Sequence, residues 1–422
     1  MNIETKQSNK PRVNWIPLVS TNFFGELNNN FLKELICFIA VLWVAKEQAS
    51  FVVALALGLL EISYIVFAPQ AAYLAKRYNK VKVLQVTKIL EIPIVLLASL
   101  GFVLQNIYIV FVALFLMGIQ TSITAPANYA LIKDIGGKKK FAYGTGLFEM
   151  TTVLGVITAG IIGGLLADKQ FNSLSEYRLF IIFGILLVVS VTGYVTSKSI
   201  RAIESEPDHS PNALLFISSI IQSFKWSKQN LPSLNIVVIG ISLFWLILSL
   251  LKLSLYEYCP HFLHMSTTQI GLLNLYIALA LAAGYYTAGH ISKNNINFSL
   301  VSFGGLGMGI SLLLIYVLQP NRVVFHVLIL IISFSAGLYQ IPLCAWIQKN
   351  VAGRKLGEMI AYNNLMISVC ILISSALFPV IVNLFSVNEI FLVASLLCFL
   401  CLALFYVKVP EITPVTMIFN KS

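Results

Sequence analysis

The sequence predicts an all-α membrane protein, with twelve transmembrane helices arranged as two pseudo-symmetric six-helix bundles. Three observations predict it. The 422-residue chain is 58% hydrophobic and only 11% charged, whereas soluble domains carry about 25% charged residues. Uncharged apolar runs, each near the ~20 residues that cross a bilayer, recur from one end to the other. A short pattern that follows the fourth run returns after the tenth. Soluble cores stop growing near ~250–300 residues, so this apolar excess belongs in lipid rather than in one globule.

Taken in order, the predicted spans are 17–45, 49–75, 83–104, 107–133, 141–167, 177–197, 234–258, 266–291, 297–318, 323–348, 356–385 and 388–408. Polar or turn-forming stretches separate them, among them Lys76 to Lys82, Gly136 to Lys140, Asp168 to Glu176 and Lys293 to Asn297. The first sixteen residues are mostly polar and lead into an apolar run longer than a signal-peptide core, so that run is expected to be a retained span. Residues 198–233 form the longest polar stretch and divide the chain into an N-terminal bundle (1–197) and a C-terminal bundle with a short tail (234–422). Within this linker, Leu214, Ile217, Ile221 and Phe224 share one helical face beside Lys225 and Lys228, which predicts an amphipathic helix on the cytoplasmic surface.

Charge distribution predicts the orientation. With both termini cytoplasmic, 21 of the 28 Lys and Arg residues fall in the tails and cytoplasmic loops. Only Lys46, Lys169, Arg178 and Arg322 fall on the opposite side, and Lys33, Lys88 and Lys252 lie within spans. This is the positive-inside bias, so the net charge of +11 reflects membrane topology and no nucleic-acid partner is expected. Five of the six cysteines lie in apolar runs, and the one CxxC (Cys398 to Cys401) has neither a histidine nor a second pair nearby. No metal, cofactor or disulfide is expected.

The two halves are related. Pro126/Pro342, Lys133/Lys349, Gly137/Gly353, Lys138/Arg354 and Lys139/Lys355 all pair at an offset of 216 residues. Such duplications in carriers place the substrate site between the repeats, near the middle of the membrane.

Several stretches share the order and spacing of a known family. They are Asn22-FFGELNNNFL on span one, Tyr64-IVFAP on span two, Ala125-PANY ending span four, Gly146-LFEMTTVLG and Gly163-GLLAD on span five, Leu243-FW on span seven and Gly337-LYQIPLCAWIQ on span ten. Over roughly residues 18–380 the chain resembles the lysophospholipid transporter family of the major facilitator superfamily. The resemblance implies the major facilitator fold and transfer of lysophospholipid across a bacterial inner membrane, for re-acylation by a separate acyltransferase. The chain departs from the family at two charged positions. Asn29 stands where the family has an acidic residue, and Asn128 stands where it has lysine. If those family charges pair, losing both avoids leaving one orphaned in low dielectric. The superfamily's loop between spans two and three is eroded too, its usual Gly and Asp falling on Ala72 and Lys76. On span five, Gly155, Ala159 and Gly163 form a small-xxx-small face suited to close helix contact.

Charged groups at membrane depth cost about 2.5–3.5 kcal/mol on insertion scales, so each is a candidate for function. Glu26, Asn30 and Lys33 lie at i, i+4 and i+7 on one stripe of span one, with Asn29 beside it. This stripe is expected to bind a headgroup. The plainer account is an internal Glu–Lys pair that locks helices together. Glu149 on span five is the next candidate, as headgroup ligand, proton carrier or partner of a base, and Glu61 is a weaker one. Lys252, on span seven, is a candidate phosphate contact. Lys88 and Glu91 are expected to snorkel as a pair from the inner end of span three. Asn128, Tyr129, Gln340, Gln348, Asn363 and Asn364 complete the expected cavity. Pro126 and Pro342 are expected to interrupt their helices as gating bends.

The chain therefore reads as a carrier moving a lysophospholipid, with membrane lipid around it, and a monomer is expected. The other carrier reading is an exporter or importer of a small soluble metabolite, siderophore or drug. Enzymatic motifs are missing: neither His261 nor His264 has an aspartate four residues away, and there is no HExxH or GxSxG.

Overall fold

The computed structural model describes residues 14–38, 43, 46–167, 178–202, 216–293, 295–353 and 355–409. These residues form helices α1 (Ile16–Phe38), α2 (Lys46–Arg77), α3 (Lys80–Val103), α4 (Ile107–Ala167), α5 (Arg178–Lys198), α6 (Phe216–Asn230), α7 (Pro232–Leu263), α8 (Thr267–Ile291), α9 (Ser299–Leu318), α10 (Arg322–Asn350), α11 (Lys355–Leu384) and α12 (Val387–Lys408). Helix α4 holds two spans, Ile107–Gly137 and Lys140–Gly163, which meet at a kink where Gly137 takes φ 60° and ψ −153°. Counting both limbs and setting α6 aside gives the twelve spans expected. Eleven of them are long and apolar enough to cross a membrane by composition alone. The twelfth, α1, falls short of that measure, and it carries Glu26, Asn28, Asn29, Asn30, Lys33 and Glu34.

The halves bury separate cores. Leu27, Phe31, Val95, Phe102, Met117 and Leu186 belong to one, and Val238, Phe244, Tyr258, Phe325, Trp346 and Phe391 to a larger one. Outward faces are apolar, as lipid demands: Leu96, Leu100, Val188, Phe303, Val327 and Leu400 are all exposed. The internal duplication is present in the backbone. Gly353, paired in sequence with Gly137, takes φ 58° at the α10–α11 turn. Both halves thus turn the chain through a left-handed residue, which glycine adopts without the Cβ penalty.

Several expectations are corrected. Helices α4 and α10 continue through Pro126 and Pro342, as spanning helices can where neighbouring helices satisfy the freed backbone group. Lys88 and Glu91 do not snorkel. Their side chains are 4% and 1% exposed and form a 2.7 Å ion pair inside the N-terminal bundle. Asn28 donates to Glu91 Oε1 (2.6 Å) and to Ser190 (2.7 Å), while Gln120 donates to Glu91 Oε2 (3.3 Å). These amide bonds supply what a buried ion pair needs beyond its own attraction.

The linker helix exists as α6, with Leu214 outside the described residues. Ser223 and Ser227 form its buried edge, whereas Ile221 and Phe224 are 46% and 44% exposed. The small-residue face of Gly155, Ala159 and Gly163 packs as expected. A Cβ on Gly155 would lie 2.9 Å from the Phe23 carbonyl and 3.0 Å from Glu26 Cβ, so the second limb of α4 rests directly on α1. Cys259, Cys344, Cys370, Cys398 and Cys401 are free.

Candidate functional site

Between the two bundles lies a hollow of about 410 Å³. Glu26, Asn29, Asn30, Lys33, Asn128, Tyr129, Glu149, Gln340 and Asn364 all line it, as do Gln348 and Asn363. Helical geometry explains how α1 contributes so many of them. Positions 22, 26, 29, 30 and 33 recur on one face, and that face turns inward because lipid cannot satisfy it. The stripe is internally bonded. Lys33 Nζ donates to Asn30 Oδ1 (2.7 Å), and Asn30 Nδ2 donates to the Glu26 backbone carbonyl (2.8 Å) and to its carboxylate (3.3 Å). Charge therefore alternates along α1 with an amide as spacer.

The second limb of α4 brings Glu149 to the same hollow. Tyr129, on the first limb, donates its hydroxyl to Glu149 Oε1 at 2.5 Å. Asn22 fixes the level of this pair by donating to the Phe148 carbonyl (3.1 Å) and to Thr152 (2.7 Å). Across the hollow, Tyr285 donates to Gln340 Oε1 (2.5 Å). Asn29 and Asn128, the two positions that differ in charge from the resembled family, do not meet. Asn29 donates to Thr121 at 2.8 Å, and Asn128 lies seven residues further along that helix, roughly 10.5 Å at 1.5 Å per residue.

The hollow has two unlike walls. Its charged groups, Glu26, Lys33, Glu61, Lys88 and Glu149, all come from the N-terminal bundle. The C-terminal bundle gives neutral amides, Trp245, Cys344 and Ser368, together with Ile241, Ile347, Ile360, Ile367 and Ile371. Sequence reasoning missed Asn22, Tyr64, Gln120, Thr121, Trp245 and Cys344 as lining residues. Their one available signal was helical phase relative to Glu26, Asn128 and Gln340. Lys252 is not brought in. It is exposed on α7, seven residues beyond Trp245 on nearly the same stripe, so it projects roughly 10.5 Å past that lining residue.

One end of the hollow is closed, and this end carries the α2–α3 and α10–α11 turns and the kink at Gly137. Lys133 Nζ reaches the Val351 carbonyl at 2.5 Å, and Thr145 donates to Gln348 at 3.0 Å. Gly146 lies against Tyr285 and Gly289, backbone on backbone. Lys76 approaches Glu358 at 3.7 Å, and Glu358 also takes a 2.5 Å bond from Lys355. The superfamily's usual aspartate in this loop is thus replaced by a lysine that faces an acidic partner across the bundle junction. We expect Lys76→Glu and Glu358→Lys each to loosen this end and the double exchange to tighten it again. In chains that keep Cys344 as their one cysteine, thiol labelling from this side should rise at least about tenfold in each single variant and fall back in the double, because the pair is only 5% and 3% exposed and breaking a buried pair from one side costs more than breaking a surface one.

A hollow with buried charges between two duplicated helical bundles, closed at one end, defines a membrane carrier. The chain matches the family model described as Major Facilitator Superfamily over residues 23–373 and again over 237–418, and it belongs to that superfamily. Among curated proteins it is similar to the lysophospholipid transporter of Yersinia enterocolitica, 24% identical with 76% of each chain covered. It is also similar to that of Photorhabdus laumondii, 22% identical over 76% of this chain and 77% of the other. Among solved structures it resembles the human organic anion transporter MFSD10, with TM-score 0.76, 14% identity and 92% and 99% of the two chains covered. It also resembles the Escherichia coli fucose:proton symporter, with TM-score 0.74, 15% identity and coverage of 94% and 98%. These two share the fold.

Proposed function

We propose that this transporter moves lysophospholipids, or amphiphiles of the same build, across a bacterial inner membrane. The observation that carries the reading is the division of the hollow into a charged N-terminal wall and an isoleucine-rich C-terminal wall. A molecule with a charged head and one acyl chain suits such a pair of surfaces, because charge is stabilised only where partners replace water, while burying a chain returns about 0.8 kcal/mol per methylene. The curated relatives with this name support the same class of cargo. A lateral opening between the bundles would keep the acyl chain in apolar surroundings, and the apolar residues of the C-terminal wall suit that arrangement.

In this reading the two bundles rock about the hollow. The closed end is the cytoplasmic one, in keeping with the Lys and Arg distribution and with both termini inside. The protein works as a monomer, performs no chemistry on its cargo and delivers it to a separate acyltransferase. The first test is uptake of radiolabelled lysophospholipids by proteoliposomes containing the purified protein, beside a panel of soluble metabolites. Saturable lysophospholipid uptake is expected, with Lys33→Ala reducing it at least about tenfold, the loss that follows removal of one partner of a charged contact. Uptake of a soluble metabolite with no lysophospholipid movement would replace this reading by that of a metabolite carrier.

A further inference from the structure

Helix α6 lies across the seam between the two bundles. It touches α2 of the N-terminal bundle and α7 and α11 of the C-terminal one. Ser223, Trp226 and Ser227 turn toward the bundles, and the two serines are 3% and 0% exposed. Ser223 borders a crevice whose other walls include Ala68 and Ala72 of α2 and Glu358, Tyr362 and Leu365 of α11. The Lys355 ammonium stands over the Trp226 ring, 4.9 Å from its centre. Lys355 in turn bonds Glu358, the acidic partner of Lys76 at the closed end. A chain of contacts thus joins α6 to the ion pair that spans the bundles.

The opposite face of α6 is a single stripe. Ile221, Phe224, Lys225 and Lys228 recur at i, i+3, i+4 and i+7, and all four are exposed. The helix carries two lysines and no acidic residue. Its depth is set by the chain, because only Leu231 separates it from Pro232, where the α7 span begins. Ala72 lies five residues before the end of α2, roughly 7.5 Å inside that helix at 1.5 Å per residue. The crevice under Ser223 is therefore on the flank of the spans, and a stripe exposed at that depth meets the headgroup layer. Apolar side chains beside lysines suit a helix lying in this layer, where acidic lipid headgroups supply the opposite charge.

We propose that α6 is a strap whose outer face docks on anionic phospholipid in the leaflet at the closed end, and that this docking favours the closed arrangement. Opening this end parts α2 from α11. The one-residue tie to Pro232 keeps α6 with α7, so the parting draws Ser223 off α2. Lipid bound to the stripe while α6 bridges the seam stabilises that position over the released one, and such a difference in affinity is what shifts a conformational equilibrium. The surface serves the carrier whatever its cargo, so it stands apart from the lysophospholipid reading.

The test uses the full-length chain with its cysteines replaced by serine, in lipid nanodiscs without cargo. The discs hold phosphatidylcholine alone or phosphatidylcholine mixed with phosphatidylglycerol. A bimane label on Ile221→Cys reports docking. Spin labels on Ser199→Cys and Lys349→Cys, exposed positions at this end of the two bundles, report closed and open distances. Phosphatidylglycerol should move the bimane emission to the blue and raise the closed-to-open ratio at least about fivefold, the worth of one lysine at an anionic surface. Lys225→Gln together with Lys228→Gln should remove both effects. In phosphatidylcholine alone that variant should keep its ratio within about twofold of the unsubstituted protein, since exposed charges add little there, and a misfolded variant would not. Bimane emission typical of water in both lipids overturns the docking. A blue shift confined to discs that hold two chains assigns the face to a second copy and overturns the lipid surface. A blue shift with an unchanged distance ratio overturns the strap.

Discussion

Glu91→Ala is expected to lower the stability of the folded protein by about 3–5 kcal/mol, the cost of breaking a buried ion pair from one side. The size follows from what is left behind. Lys88 would keep its charge at 4% exposure with its 2.7 Å partner gone. Asn28 and Gln120 would each lose a bond to the same carboxylate, and an orphaned buried amide costs about 1–3 kcal/mol. Lys88→Met should cost less, because Glu91 keeps both amide donors and can neutralise itself by taking up a proton. The double variant Lys88→Met, Glu91→Gln should recover to within about 2 kcal/mol of the wild type, since a neutral amide holds Asn28 without needing a counter-charge. Thermal unfolding in detergent, followed for all three variants, checks this order. A snorkelling surface pair would give less than about 1 kcal/mol in every case, so the ranking separates the buried network from the reading that sequence spacing suggested.

Gly146→Leu is expected to abolish transport while the protein still folds. Gly146 sits at the closed end, where a Cβ would lie 2.6 Å from the Tyr285 carbonyl and 2.8 Å from Gly289 Cα. Both obstacles are backbone, so no side chain can move aside. The clash falls between the bundles rather than within one, and each bundle keeps its own core. The substitution therefore acts on the closed arrangement and holds the bundles apart at this end. In alternating access a carrier confined to one arrangement binds cargo but does not turn over. Flux of the proposed lysophospholipid cargo should drop at least about a hundredfold, beyond the tenfold that 1.4 kcal/mol explains. Melting temperature should stay within a few degrees of the wild type, and Cys344 should become open to thiol reagents from this side. Retained flux would mean that the α4–α8 crossing does not close during the cycle.

Much of the site was legible before any tertiary structure. The stripe of Glu26, Asn30 and Lys33 was readable because helical periodicity and the cost of exposing charge to lipid leave one orientation open to it. The repeat between Pro126 and Pro342 pointed to a hollow between the halves, and Asn128, Tyr129, Glu149, Gln340 and Asn364 were brought there. The sequence also contained the two turn glycines, since only glycine takes positive φ freely at both equivalent positions.

Other features depended on distances that no periodicity encodes. Lys88 and Glu91 read as a surface pair because their spacing is equally compatible with both settings. Only the approach of α1, α4 and α5, bringing Asn28, Gln120 and Ser190, makes the buried setting stable. Lys252 shares the stripe of Trp245 but extends past the lining, a matter of where the hollow ends along α7. The prolines looked like breaks because the lost hydrogen bond is local, whereas the packing that keeps α4 and α10 continuous is not. The sequence by itself determined which faces had to turn inward, through the energetics of charge and backbone in lipid. Tertiary structure alone decided which inward charges met an opposite charge, as Glu91 met Lys88, and which met a neutral donor, as Glu149 met Tyr129, because that depends on contacts between helices.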